Sequence, residues 1–361
     1  MTHLRQSWIE IPPCSGIAQH CDVLSFQKHG RDEVVKRRNF IMLLGSAAAT
    51  LPSLPTIAQS PTKRAVIGLL LLGSKSATEP RRSGFPHGMQ EFGYVQGRDY
   101  IIEDRYADGE LARLPALFQE LVRIKSDVIV TGTTVGILDA TRTTGTIPIV
   151  GASLTDPVSF GLAASLAQPG GQVTGILVTS DNLAAKQMEL ALEMLPGAKK
   201  IGMLVHGGNQ SNTVHRQNLE VATGALWLKL VTSEAHGPSN LDAAFQTFVR
   251  EHVELVVVPP DGLFVSERRK IVTLVAEARL PALYPYREFV EASGLLSYGV
   301  DLRESWRRAA AFVDKILKGA KPAGLPIEQP TNELVINMKT AKALGLNIPR
   351  TVLARANQMI E

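Results

Sequence analysis

The sequence predicts an α/β fold of two doubly wound parallel-sheet lobes joined by a multi-crossing hinge and preceded by a signal peptide. Three observations carry this. From residue 65 onward, short continuous apolar runs alternate with amphipathic segments, and an unbroken apolar run marks a parallel strand covered on both faces. The span 147–180, IPIVGASLTDPVSFGLAASLAQPGGQVTGILVTS, packs a strand, a polar loop, a helix and a second strand into one stretch. It forms one wall of a cleft and the first crossing between lobes, because ligands in open α/β sheets sit beyond the carboxyl ends of strands. The alternation also runs for about 300 residues, more than one hydrophobic core usually supports.

In chain order, residues 66–72 form the first strand and 84–92 a helix closed by Gly93, a good C-cap residue. Residues 100–106 are a strand, and 111–124 a helix with Leu114, Leu117, Leu121 and Val122 on one face. A strand at 127–130, a helix at 135–143 and a strand at 147–150 follow. Phe160, Leu162, Ala163 and Leu166 space a helix that ends at Pro169-Gly170-Gly171, before a strand at 173–178. Beyond the crossing, helices are expected at 183–194, 213–223, 240–249, 266–278 and 303–318. Strands are expected at 200–205, 226–231, 255–258, 282–284 and 295–298, with a strand at 327–337 and a helix at 339–344 closing the chain. Crossings near 173–178, 298–301 and 325–329 make each lobe discontinuous. The first lobe takes 64–174 plus about 301–325, and the second 175–300 plus about 326–361.

The chain has 361 residues, 45% apolar and 20% charged, an ordinary globular balance. Residues 1–58 hold six Lys/Arg against four Asp/Glu, so the remainder carries 32 basic against 30 acidic side chains. That near neutrality gives no footprint for nucleic acid or a membrane surface. Both cysteines, Cys14 and Cys21, fall in the first 58 residues, which excludes a disulfide framework or thiolate metal site in the rest. Lys36-Arg37-Arg38-Asn39-Phe40-Ile41 precedes an apolar run and small residues at Thr56 and Ala58. This order is that of a twin-arginine-like export signal cleaved near Ala58, with a periplasmic destination.

Further motifs are Glu91-Phe92-Gly93-Tyr94-Val95-Gln96-Gly97, Asp156-Pro157-Val158, the run Ala167-Gln168-Pro169-Gly170-Gly171-Gln172-Val173-Thr174-Gly175, and Leu334-Val335-Ile336-Asn337. With Val66-Ile67-Gly68 and Ile147-Pro148-Ile149-Val150, these resemble the substrate-binding proteins of ABC transporters with the type I periplasmic-binding-protein fold, in the branch with tryptophan- and tyrosine-type members. The resemblance spans about residues 36–361. It implies ligand capture between two lobes, hinge closure, delivery to an inner-membrane permease, and a small carboxylate or amino-acid-like ligand. Where relatives carry an Asn-Pro type turn, this chain has His206-Gly207-Gly208-Asn209.

Candidate ligand contacts follow from strand ends. Thr133 and Thr134 lie between a strand and a helix start, which can cradle a carboxylate or simply cap the helix. Ser153, Thr155 and Asp156 follow the fourth strand; Asp156 could hold an ammonium group or cap a helix before Pro157. Ser74 follows the first strand, Thr179 and Ser180 the crossover strand, and His206 and Asn209 the first strand of the second lobe. Asp261 is the second-lobe carboxylate, with a plain turn role beside Gly262 as its alternative. Tyr284, Tyr286 and Tyr298 end strands and could stack on a ring or pack in the core. Enzymatic motifs are missing: there is no Gly-x-Ser-x-Gly elbow, His-x-x-x-His pair or phosphate loop. The expectation is therefore a monomeric binding protein without cofactor or metal. A sensory subunit presenting a solute to a membrane receptor is the alternative, and an exported enzyme a weaker one.

Overall fold

A computed structural model describes residues 63–143, 146–179 and 183–361. The leader, both cysteines and Ser180 lie outside the described residues. The first sheet holds β1 (Ala65–Leu71), β2 (Tyr100–Tyr106), β3 (Val128–Thr131), β4 (Ile149–Leu154) and β5 (Val173–Leu177). Its order is β2-β1-β3-β4-β5, every pairing parallel. Helices α1 (Lys75–Arg82), α2 (Gly84–Glu91), α3 (Leu114–Arg123) and α4 (Thr134–Thr143) connect these strands. The apolar runs are buried as their pattern predicts: Ile67, Leu69, Val128, Val130 and Val150 pack on one face, Leu70, Ile129 and Ile149 on the other.

The second sheet follows α5 (Leu183–Met194) and begins with β6 (Lys200–His206), α6 (Gln210–Ala225) and β7 (Lys229–Ala235). Next come α7 (Leu241–Arg250), β8 (Leu255–Val257), α8 (Gly262–Ser266), α9 (Arg268–Glu277), β9 (Ala282–Tyr284), α10 (Arg287–Glu291) and β10 (Leu296–Gly299). Helix α11 (Leu302–Leu317) then packs on the first sheet, with Trp306, Ala309, Ala310 and Val313 in its core. The chain returns through β11 (Glu333–Asn337), α12 (Met338–Ala343), α13 (Arg350–Leu353) and β12 (Gln358–Ile360). Strand order in the second sheet is β12-β11-β10-β9-β8-β6-β7.

Several expectations are corrected. No helix forms at Phe160–Leu166: Asp156 and Gly161 take positive φ, and the amides of Leu162 and Ala163 both turn back to the Pro157 carbonyl. Strand β5 pairs wholly with β4, so the chain leaves the first sheet after Leu177, beyond the expected division at 174/175. Trp227 sits in a turn at φ 57°, 95% exposed, and β7 starts only at Lys229. The expected strand 327–337 splits, with Glu328 bridging β5 before β11 begins. The second sheet is not wholly parallel, since β11 runs antiparallel to β10. After its excursion through α11 the chain re-enters from the end where β10 left, so it must run backwards. Helices α1, α8, α10 and α13 and strand β12 are not among the expected elements.

Gly175 accounts for the end of the Pro-Gly-Gly-Gln-Val-Thr-Gly run. Its φ is 141°, and a Cβ there would lie 2.1 Å from the Gly151 carbonyl oxygen on β4, so only glycine fits.

Candidate functional site

Segments at the carboxyl ends of strands from both sheets enclose a cavity of about 40 Å³. The first lobe supplies Arg81 from α1, Gly132, Thr133 and Thr134 after β3, and Ser153 and Thr155 around the end of β4. The second lobe supplies Asn209 and Ser211 after β6, Pro260 to Gly262 after β8, and Tyr286 after β9. The lobes are drawn together here. A Cβ added to Gly262 would stand 2.9 Å from the Leu72 Cβ across the cleft.

On the first-lobe wall, the Thr155 amide donates to Thr134 Oγ1 at 2.8 Å, which fixes the hydroxyl and leaves its own hydrogen free to donate. Thr133 N donates to Thr131 Oγ1 at 3.2 Å, holding the start of α4 in the cavity wall. The positive end of that helix dipole therefore faces inward. Arg81 adds a full charge. It is only 8% exposed, and its Nη1 has no hydrogen-bond partner among the described residues. Burial holds its guanidinium below its ordinary pKa, against the opposing pull of Glu288. Glu288, on α10 of the other lobe, has an unpartnered Oε2, and burial raises its carboxyl to about 7. A buried guanidinium with an open Nη1 donor is costly, and it suits a site that receives an anion.

Asp261 organises the opposite wall. Its Oδ1 accepts from the amides of Leu263 at 2.7 Å and Phe264 at 3.3 Å, capping α8. Its Oδ2 accepts from Asn209 Nδ2 at 2.5 Å and Asn212 Nδ2 at 3.2 Å, and pairs with His206 Nδ1 at 2.9 Å. Both amides are oriented by their oxygens: Asn209 Oδ1 accepts from Ser211 N, and Asn212 Oδ1 from His206 N, each at 2.9 Å. The carboxylate is thus fully engaged, yet it lends negative charge to the wall facing Arg81.

Of the residues named from sequence, Thr133, Thr134, Ser153, Thr155, Asn209, Asp261 and Tyr286 line this cavity. His206 stands behind Asp261, its ring 6.0 Å from that of Phe264. Asp156 and Thr179 line a larger adjoining chamber. Asp156 caps a turn, not a helix, accepting from Ser159 N at 3.2 Å. Ser74 precedes α1 and lies outside the cavity. Tyr284 stacks on Phe289 in the second-lobe core, and Tyr298 packs by β11 away from the cleft, so neither reaches it. Sequence reasoning passed over Arg81 and Glu288. The only signal for Arg81 was an arginine shortly after the first strand, and for Glu288 a carboxylate two residues past Tyr286.

The family profile described as ABC transporter substrate binding protein matches residues 67–360. A curated tyrosine-binding protein of Clostridioides difficile is 26% identical over 286 residues, covering 79% of this chain and 82% of that protein. A crystal structure from Vibrio cholerae, titled a conserved domain protein, is 28% identical with a TM-score of 0.77, covering 82% of this chain and 100% of that one. An ABC domain in complex with L-Trp from Streptococcus pneumonia is 26% identical with a TM-score of 0.76, over the same shares.

Proposed function

The chain belongs to the ABC transporter substrate-binding protein family, a family of binding proteins and not of enzymes, and on that premise we propose that it captures an amino acid between its lobes. Proteins of this family typically work outside the cytoplasm. We place this one in the periplasm, delivering its ligand to an inner-membrane permease. The observation that carries the reading is Arg81, buried in the cleft with Nη1 unpartnered.

An α-amino acid matches the charge layout. Its carboxylate goes to Arg81 and the N-terminus of α4, and its ammonium toward the wall held negative by Asp261. The ligand then bridges the lobes and stabilises the closed state by contacts that the open state lacks. The tyrosine-binding relative and the L-Trp complex support an amino acid as the ligand class. Calorimetric titration of the chain 59–361 with the proteinogenic amino acids and their carboxamides tests this. A free acid should bind and its carboxamide should not, and Arg81→Gln should weaken binding by about 10–100-fold. Equal binding of acid and amide overturns the reading.

A further inference from the structure

The second lobe holds a cavity of its own, about 180 Å³, which shares no lining residue with the cavity in the cleft. Helix α9 lines it with Val272 and Val275, the turn before β10 with Gly294 and Leu295, and the end of α12 with Leu344. In this mostly apolar lining stands one fully buried polar side chain, Tyr284 of β9. It is 0% exposed, and its hydroxyl has no hydrogen-bond partner among the described residues. The backbone of Tyr284 is paired inside the sheet, with β10 on one side and β8 beyond β9 on the other, so the residue reaches the cavity through the far end of its ring. One ring face stacks on Phe289 with centroids 4.8 Å apart. The Cε2 edge, next to the carbon that bears the hydroxyl, abuts Gly294 in the cavity wall, where an added Cβ would lie 2.5 Å away. Burial holds the phenol far above its ordinary pKa, so the group is a permanent donor.

We propose that this cavity is a ligand site separate from the cleft, and that the Tyr284 hydroxyl donates there to a compact neutral molecule, apolar apart from one hydrogen-bond acceptor. A buried donor left unmet costs free energy, and an acceptor on an otherwise apolar guest removes that cost. Water is a poorer occupant, because a buried water needs about two to four polar partners. The other polar side chains of the lining lie toward the surface: Arg279 and Ser293 are exposed, and Thr340 already donates to the Ser293 carbonyl at 2.9 Å. Size sets the guest, since a dry cavity of about 150 Å³ holds benzene. A molecule of about six to eight heavy atoms, such as a cyclic ketone or ether, fits the space and the single donor. The site stands whether or not the cleft takes an amino acid.

The test is methyl NMR of the full chain, wild type and Tyr284→Phe, titrated with cyclohexanone and with methylcyclohexane. In the wild type, cyclohexanone should give saturable shifts at the methyls of Val272, Val275 and Leu295, with those of Val178 and Val265 in the cleft unmoved. Tyr284→Phe should weaken cyclohexanone about tenfold and leave methylcyclohexane within about threefold. Because the variant deletes a hydroxyl that is unmet in the empty protein, its Tm should equal or exceed that of the wild type. No saturable shift at the cavity methyls of the wild type overturns the proposal, and needs no variant to fold. Equal cyclohexanone affinity in wild type and Tyr284→Phe overturns it as well, since space alone would then hold the probe. A Tm for Tyr284→Phe more than about 3 °C below wild type overturns the open donor by showing that the hydroxyl already has a partner.

Discussion

Asp261→Asn is a near-isosteric change whose cost can be worked from the hydrogen bonds. The new side chain can keep its oxygen toward α8, where Leu263 N and Phe264 N donate at 2.7 and 3.3 Å. Its NH₂ then faces Asn209 Nδ2, Asn212 Nδ2 and His206 Nδ1. His206 can relieve its contact by changing tautomer. The two asparagines cannot flip cheaply, because their oxygens accept from Ser211 N and His206 N. Two buried donors lose a charged acceptor, which costs about 3–6 kcal/mol at roughly 1.5–3 kcal/mol each. For a chain of this size that lowers Tm by roughly 6–15 °C. Asp261→Ala also removes the cap of α8, adding about 1 kcal/mol. Thermal unfolding followed by circular dichroism should therefore order the proteins wild type, Asp261→Asn, Asp261→Ala. A Tm for Asp261→Asn within about 2 °C of wild type would refute the idea that this carboxylate organises the second-lobe wall.

Two further outcomes follow from the cleft. Gly262→Ala places a methyl group 2.9 Å from the Leu72 Cβ of the opposite lobe, so closure and not folding should suffer: ligand affinity should fall about tenfold with Tm little changed, as small-angle scattering of the liganded protein would show by an increased radius. The pH dependence of stability should be masked in the wild type. Glu288, raised from 4.5 to about 7, loses stability as pH rises through that window, whereas His215, lowered from 6.5 to about 4, loses it as pH falls through its own. Each ramp is worth about 3 kcal/mol and they oppose. Urea unfolding between pH 4.5 and 6.5 should then show Glu288→Gln gaining stability with rising pH and His215→Leu losing it, and parallel profiles for the two variants would sink the account.

Much of the fold was legible because buried parallel strands announce themselves as apolar runs; β1, β3 and β8 needed nothing more. The failures have local causes. Phe160, Leu162 and Leu166 carry a helical spacing, but Gly161 and a turn-forming Asp156 override it. Trp227 invites a strand by its side chain, yet its backbone is in the left-handed region and its ring faces solvent. The reversal of β11 is a consequence of topology, and no residue in Glu333–Asn337 encodes direction. At the site, loops after strands pointed to Thr133, Thr134, Thr155, Asn209 and Asp261. Arg81 escaped because a basic residue in a polar helix normally faces water, whereas tertiary packing buries this one.

The same topology locates the hinge. Residues 325–328 are tied to the first lobe, because Glu328 N donates to Gly175 O and Leu177 N to Glu328 O, both at 2.8 Å, and Thr174 Oγ1 donates to Leu325 O at 2.7 Å. On opening, bending should therefore fall at 329–332 in that crossing and at Val300 and Asp301 in the one before α11. Arg287 of α10 spans both: its Nη1 lies 3.5 Å from Asp301 Oδ2, the cap of α11, and 3.5 Å from Glu333 Oε2 at the start of β11. Partly exposed pairs of this kind contribute about 1 kcal/mol to global stability, but here they restrain two hinge strands at once. Arg287→Met should leave Tm nearly unchanged while speeding amide hydrogen exchange at 300–302 and 329–333 by roughly tenfold, with the sheet cores unaffected. Acceleration spread evenly over the second lobe would mean that Arg287 supports the lobe itself and that the hinge lies elsewhere.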